Sequence, residues 1–159
     1  MKIVLVQRPS SSGFSLEAVY GAIHEELSKK IDIGIFTLNK NNLIKDLLKL
    51  RKMKADLYHI TGDVHYLTLL LPKNKSVLTM HDVGRYLRDL KGLKRWIYKM
   101  VWITLPIHFS GAIFFSSEIT KKRVLKITSL DKKPNFVVGL CSNLGFKNPE
   151  YKGRAGKPY

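Results

Sequence analysis

Apolar positions along the chain fall into short runs rich in β-branched and aromatic residues, separated by stretches of helical period. This is the pattern of βαβ units around a mostly parallel sheet. Strands are predicted over Lys2 to Gln7, Ile31 to Thr37, Ala55 to Ile60, Ser76 to Met80, Ala112 to Phe115 and Asn135 to Val138. Because these runs are nearly continuous in hydrophobicity, helices are expected on both faces of the sheet. The helical segments run from about Leu16 to Lys29, Asn42 to Lys52, Val64 to Leu71, Tyr86 to Phe109 and Glu118 to Ser129. In the first, Leu16, Val19, Tyr20, Ile23 and Leu27 make one buried stripe. Ser15 is suited to cap that helix, and Glu17 to sit at the positive end of its dipole. Pro72 and the turn from Lys73 to Lys75 close the third.

With 159 residues, 45% of them hydrophobic, the chain can bury one core and is short for two. Residues 1–144 are expected to form that domain. The stretch 145–159 changes character, with Lys147, Pro149, Gly153, Arg154, Gly156 and Pro158 and little to bury, and reads as a linker or the start of a further domain. The most apolar long stretch, Trp96 to Phe109, is interrupted by Lys99, Pro106 and His108 and is shorter than the roughly 20 residues that span a bilayer. The N-terminus carries no signal-peptide core, and a lone cysteine, Cys141, excludes an intramolecular disulfide, so a reducing, cytoplasmic setting is expected.

Charge changes the picture more. A formal net charge of +16 concentrates polyanions and opposes self-association. Two basic clusters carry much of it. Lys121, Lys122, Arg123, Lys126, Lys132 and Lys133 follow the fifth strand. Arg85, Arg88, Lys91, Lys94, Arg95 and Lys99 are interleaved with Tyr86, Trp96, Tyr98 and Trp102. A charge run is ordinarily a solvated face, but lysines beside aromatics also suit an anionic membrane surface. On that reading Lys91, Lys94, Arg95, Trp96, Lys99 and Trp102 face the lipid, and the protein is peripheral on the cytoplasmic side. Nucleic acid is disfavoured as a partner because no recognised nucleic-acid module is readable.

Ligands of an open parallel sheet bind beyond the carboxyl ends of the strands. The first strand ends in Gln7 and Arg8, and the third runs into Thr61, Gly62 and Asp63. The fourth ends in His81 and Asp82, and the fifth in Ser116, Ser117 and Glu118. These residues form the expected cleft rim. Ser11, Ser12, Gly13, Phe14 and Ser15 precede a helix N-terminus and could receive a phosphate or a sugar hydroxyl, or could equally be a serine-rich turn with a cap. His81 is the candidate catalytic residue, at the mouth of the cleft, while Asp82 could instead cap the next segment. His59 and His65 read as structural histidines, and no zinc site is expected.

The segments 55–66 (ADLYHITGDVHY) and 76–82 (SVLTMHD), with Phe114-Phe115-Ser116-Ser117-Glu118 and the helix after it, resemble the N-terminal domain of retaining GT-B glycosyltransferases of the family 4 type. The likeness extends along the chain as a pattern and is most specific over residues 55–120. It is least faithful where many relatives have paired glycines and this chain has Ser11, Ser12 and Gly13. The resemblance implies a Rossmann-like α/β domain of about six strands, one half of a GT-B fold. It further implies an N-terminal domain that takes a glycan or lipid-linked acceptor, with the nucleotide diphosphate sugar held by a C-terminal donor domain or a separate donor subunit. The histidine at the position of His81 would lie near the transferred sugar, and the loop at Ser10 to Ser15 would face the donor phosphates. No cofactor is expected on this chain by itself, which alone would transfer little or nothing. The rival readings are a non-catalytic basic module binding nucleic acid or another polyanion, and the membrane and acceptor subunit of a two-chain transferase.

Overall fold

The computed structural model of the chain describes residues 1–9, 15–39 and 42–139. Six parallel strands form one sheet: β1 (Lys2–Gln7), β2 (Asp32–Thr37), β3 (Leu57–Ile60), β4 (Ser76–Met80), β5 (Ala112–Phe115) and β6 (Asn135–Val137). Their spatial order is β2-β1-β3-β4-β5-β6. Every predicted strand is present, within two residues at each end. The α/β, Rossmann-like class expected from the periodicity is therefore the fold of the protein.

The strand order dictates how the helices are shared between the faces. Right-handed crossovers place a connection on one face when the chain steps one way along the sheet, and on the other when it steps back. Only the step from β1 to β2 goes one way; all later steps go the other. Accordingly α1 (Ser15–Leu27) packs Tyr20 and Ile23 against Leu5 and Ile33 on one face. On the other face lie α2 (Leu43–Lys52), the segments between β3 and β5, and α6 (Glu118–Leu125). Leu50, Leu67, Ile103, Ile107 and Val124 from these segments close over Val4, Val6, Ile60, Leu78, Met80, Ile113 and Phe115, which forms the main core. Among the described residues both faces carry helices, but unevenly.

Two helical expectations are corrected. The segment expected as a helix over Val64 to Leu71 is a 3-10 turn, His65–Leu69. It is confined by the turn at Gly62 and by Pro72, which drives the preceding residue out of the helical region. The single helix expected over Tyr86 to Phe109 is two. α3 (Gly84–Arg88) ends at Asp89, Lys91 is extended, and α4 (Gly92–Tyr98) begins at a glycine with φ of 53°. α4 then continues through a π-helical stretch, Lys99–Thr104, into α5 (Leu105–Phe109). Pro106 lacks the N–H that a regular helix would direct at the carbonyl of Trp102. That carbonyl accepts instead from His65 Nδ1 at 2.8 Å, so the helix irregularity and the burial of His65 explain each other.

Candidate functional site

A wholly parallel sheet brings all its carboxyl ends to one edge, and the order reverses between β1 and β3, where doubly wound sheets open their binding crevice. At this point Arg8 extends from the end of β1. Its Nε donates to Glu17 of α1 at 3.0 Å, and its Nη1 lies 3.8 Å from Asp63 after β3. The hydrogen bond and charge of Glu17 raise the Arg8 pKa, and Arg8 holds the Glu17 carboxyl below the usual carboxylate value. One ion-pair cluster thus ties β1, α1 and the β3 loop together.

His81 follows β4 directly. Its Nε2 lies 2.8 Å from the Thr61 carbonyl oxygen, which can only accept, so Nε2 carries the proton. Nδ1 is then left with a lone pair, and among the described residues it has no hydrogen-bond partner. Burial lowers the His81 pKa and Arg8 adds to this, against the opposing influence of the Thr61 carbonyl, Asp63 and Asp82. The ring is a neutral acceptor in the physiological range. The backbone is equally fixed, because the His81 carbonyl accepts from both Ser116 Oγ at 2.6 Å and Thr120 Oγ1 at 2.9 Å.

Beneath the ring lies a second polar layer. Tyr20 stands edge-on to both His59 and His81, with centroids 5.8 and 6.0 Å apart. His59 Nε2 is 2.6 Å from Thr79 Oγ1, and Tyr20 Oη lies 3.5 Å from His81 Nε2. Burial lowers the His59 pKa to about 4 and moves that of His65 in the same direction. Two hollows adjoin these residues. On the α1 face an apolar groove of about 450 Å³ is lined by Leu5, Tyr20, His59, Thr79, Phe114 and Val138 among others. At the strand ends a polar cleft of about 520 Å³ is lined by Arg8, Leu16, Asp63, His65, His81, Asp82, Arg85, Arg88, Asp89 and Tyr98.

Of the rim residues expected from sequence, Arg8, Asp63, His81 and Asp82 meet in the polar cleft. Thr61 and Gly62 line a smaller recess against Arg8, Glu17 and Tyr20. The Thr61 hydroxyl is committed to the Val6 carbonyl at 3.0 Å. Asp82 lines the cleft and also turns the chain, its Oδ1 accepting from Gly84 N at 2.8 Å. Ser116, Ser117 and Glu118 do not reach the cleft. Ser116 buttresses His81 from behind, Ser117 caps α6 through Thr120 N at 3.1 Å, and Glu118 is exposed in the first turn of that helix. Ser11, Ser12, Gly13 and Phe14 lie outside the described residues, as do Cys141 and the expected linker 145–159; Ser15 opens α1. Of the residues expected to face lipid, Lys91, Lys94, Arg95 and Trp96 are exposed. Trp102 is not: it is half-buried, stacked on Tyr98 with an interplanar angle of 9° and edge-on to Tyr66. Lys99 is also half-buried.

Arg85, Arg88, Asp89 and Tyr98 were legible only as members of a basic, aromatic stretch; their place in the cleft follows from the Asp82 turn, which sends α3 back over the strand ends. Thr120 was not foreseen, though a Ser-Ser followed by Thr at a helix start is a signal for hydroxyls bonding nearby carbonyls. Among the described residues no group of three or more potential metal ligands comes together, and no helix is long and apolar enough to cross a membrane. No protein-family model, curated protein or solved structure matches the chain.

Proposed function

We propose that this chain is the acceptor-side half of a nucleotide-sugar glycosyltransferase, moving a sugar from a nucleotide diphosphate sugar to a glycan or lipid-linked acceptor once a donor-binding lobe closes over the strand ends. The observation that carries this reading is the charge balance of the cleft. On a chain of net charge +16, the cleft sets three arginines (Arg8, Arg85, Arg88) against three aspartates (Asp63, Asp82, Asp89), with His65 and His81 held neutral by burial. A site for a polyanion would concentrate the positive charge. Interleaved fixed donors and acceptors suit a ligand that offers both at every position, which is the character of a sugar and its hydroxyls.

The Nδ1 lone pair of His81 extends the reading to a role. A ligand hydroxyl donating to it would satisfy the ring nitrogen that has no partner among the described residues, at the switch point where ligands of such sheets sit. Substitution at an anomeric carbon gains from such placement, because alignment of the acceptor hydroxyl replaces an entropic barrier. His81 would therefore orient a hydroxyl and would not act as a cationic acid.

The test uses the chain joined to its donor half. His81→Ala is expected to lower kcat/KM by about tenfold or more, which is about 1.4 kcal/mol of transition-state stabilisation. Turnover held within about twofold of the parent would remove His81 from the reaction. For the chain by itself, amide shifts at Thr61 to Asp63 and His81 to Asp89 on titration with neutral oligosaccharides support the assignment. Shifts confined to Lys121 to Lys133 on titration with polyphosphate would favour the polyanion-binding module.

A further inference from the structure

In α4 the apolar stripe is left facing solvent, and no residue of the helix is buried. A helix packed on a domain turns its apolar stripe to the core. Here Leu93, Trp96 and Ile97, spaced i, i+3, i+4, are 71%, 61% and 46% exposed, and Leu87 of α3 is 43% exposed. The opposite side is aromatic and cationic, and of α4 only Tyr98 is half-buried. Tyr98 stacks on Trp102, Arg95 lies 4.5 Å over the Tyr86 ring, and Arg85 lies 5.6 Å from the Tyr98 centroid. The outward orientation is thus held by contacts on the opposite side of the helix, which makes it a property of the fold.

The charges around the apolar stripe identify what covers it. Between Gly84 and Thr104 the chain carries Arg85, Arg88, Lys91, Lys94, Arg95 and Lys99 against Asp89 alone. A second copy of the chain would bring the same cations face to face, which is unfavourable for a stable dimer. A polynucleotide would use the cations but leave Leu87, Leu93 and Ile97 in water. A layer of anionic headgroups above acyl chains satisfies both sets at once.

We propose that α3 and α4 form a docking surface for an anionic lipid bilayer, with Leu93, Trp96 and Ile97 at the boundary of headgroups and acyl chains and Arg88, Lys91 and Lys94 on the lipid phosphates. The inference stands without the transferase reading. It also has a geometric consequence for it: Arg85, Arg88, Asp89 and Tyr98 line the polar cleft, so docking brings the cleft mouth to the headgroup layer.

The experiment is cosedimentation of the full chain with vesicles of phosphatidylcholine alone and with a one-third share of phosphatidylglycerol. The anionic vesicles are expected to bind the chain at least about tenfold more strongly. Lys91→Ala with Lys94→Ala is expected to weaken this by about fivefold for each charge removed. Leu93→Ala with Trp96→Ala is expected to weaken it by about tenfold or more while leaving the melting curve unchanged. Tryptophan emission should shift to the blue on binding in the parent and in Trp102→Phe, but not in Trp96→Phe. Binding that ignores the Leu93 and Trp96 substitutions would overturn the proposal in favour of adsorption by charge. A lipid-free dimer dissolved by those same substitutions would overturn it in favour of a second copy, and duplex DNA bound as tightly as the vesicles and lost with them would overturn it in favour of nucleic acid.

Discussion

His81 Nε2 lies 2.8 Å from the Thr61 carbonyl oxygen, so the end of β4 is bonded to the end of β3 across the edge of the sheet where the cleft opens. This bond fixes the ring tautomer, and the hydroxyls of Ser116 and Thr120 fix the backbone behind it. His81 is therefore placed by three elements, with one ring nitrogen left over. Neither Thr61 nor Ser116 need touch a ligand to matter, since each sets where the ring points.

Burial of the histidines makes the stability of the protein depend on pH. His59, with a pKa lowered to about 4, and His65 and His81, lowered in the same direction, all bind a proton more readily in the unfolded chain. Between the unfolded value near 6.5 and the folded values the unfolded state holds more protons, so stability rises with pH across that window. The stabilisation is complete above pH of about 6.5 and is lost as pH falls toward 4. His59 alone accounts for something on the order of 3 kcal/mol over this interval. Urea midpoints taken from pH 7 to pH 4 should decline steadily, and His59→Gln should flatten part of the slope. A midpoint independent of pH across this range would contradict the neutral, buried state of the three rings.

Arg8 and Glu17 offer a measure of how firmly α1 is held to the end of β1. Their side chains are 24% and 20% exposed and 3.0 Å apart, so the pair is shielded but not dry. A double-mutant cycle with Arg8→Ala and Glu17→Ala should give a coupling energy of about 1 kcal/mol, falling with added salt. Among the described residues Glu17 also has a buried carboxylate oxygen without a partner, so Arg8→Ala should cost more than Glu17→Ala. The reverse order of the two single variants would show that Arg8 without Glu17 is costlier than Glu17 without Arg8, so that Asp63 does not compensate Arg8.

Much of this arrangement was legible in the sequence, and what was not has identifiable causes. The strands were legible because parallel strands buried on both faces are written as nearly continuous apolar runs, such as Ser76 to Met80, all five of whose residues are buried and three of them apolar. Polar residues just beyond such runs had to share one edge, which brought Arg8, Asp63, His81 and Asp82 forward together. The order of strands was not readable, because parallel pairing is set by crossovers of many residues and leaves no local mark. Tyr20 could therefore be read as core but not as the ring standing against both His59 and His81. The break in the expected helix after Tyr86 depends on Gly92 taking a positive φ, and a glycine inside a periodic stretch does not announce which way it will turn. That break is also what presents Trp96 outward while Trp102, six residues on, is drawn inward by the π-helical turn.

Two glycines carry opposite predictions for the same substitution. Gly111 donates its N–H to the Ser76 carbonyl at 2.7 Å as the chain enters β5. A Cβ placed there would stand 2.8 Å from the Lys73 carbonyl oxygen and 3.3 Å from that of Ser76. Both obstacles are backbone, in the turn that feeds β4, so relief requires the edge between β4 and β5 to open. Gly111→Ala should destabilise by about 1–3 kcal/mol, the range for forcing an added carbon into a packed site. Gly21 is in the middle of α1, and a Cβ there meets nothing within 4 Å. Gly21→Ala should stabilise by about 0.5–1 kcal/mol, since alanine loses less backbone entropy in a helix. Thermal melts of the two variants should therefore move apart by several degrees, at about 2–4 °C per kcal/mol for a chain of this size. Equal shifts for both, or a neutral Gly111→Ala, would mean that the approach of the Lys73 carbonyl to β5 is not as close as described.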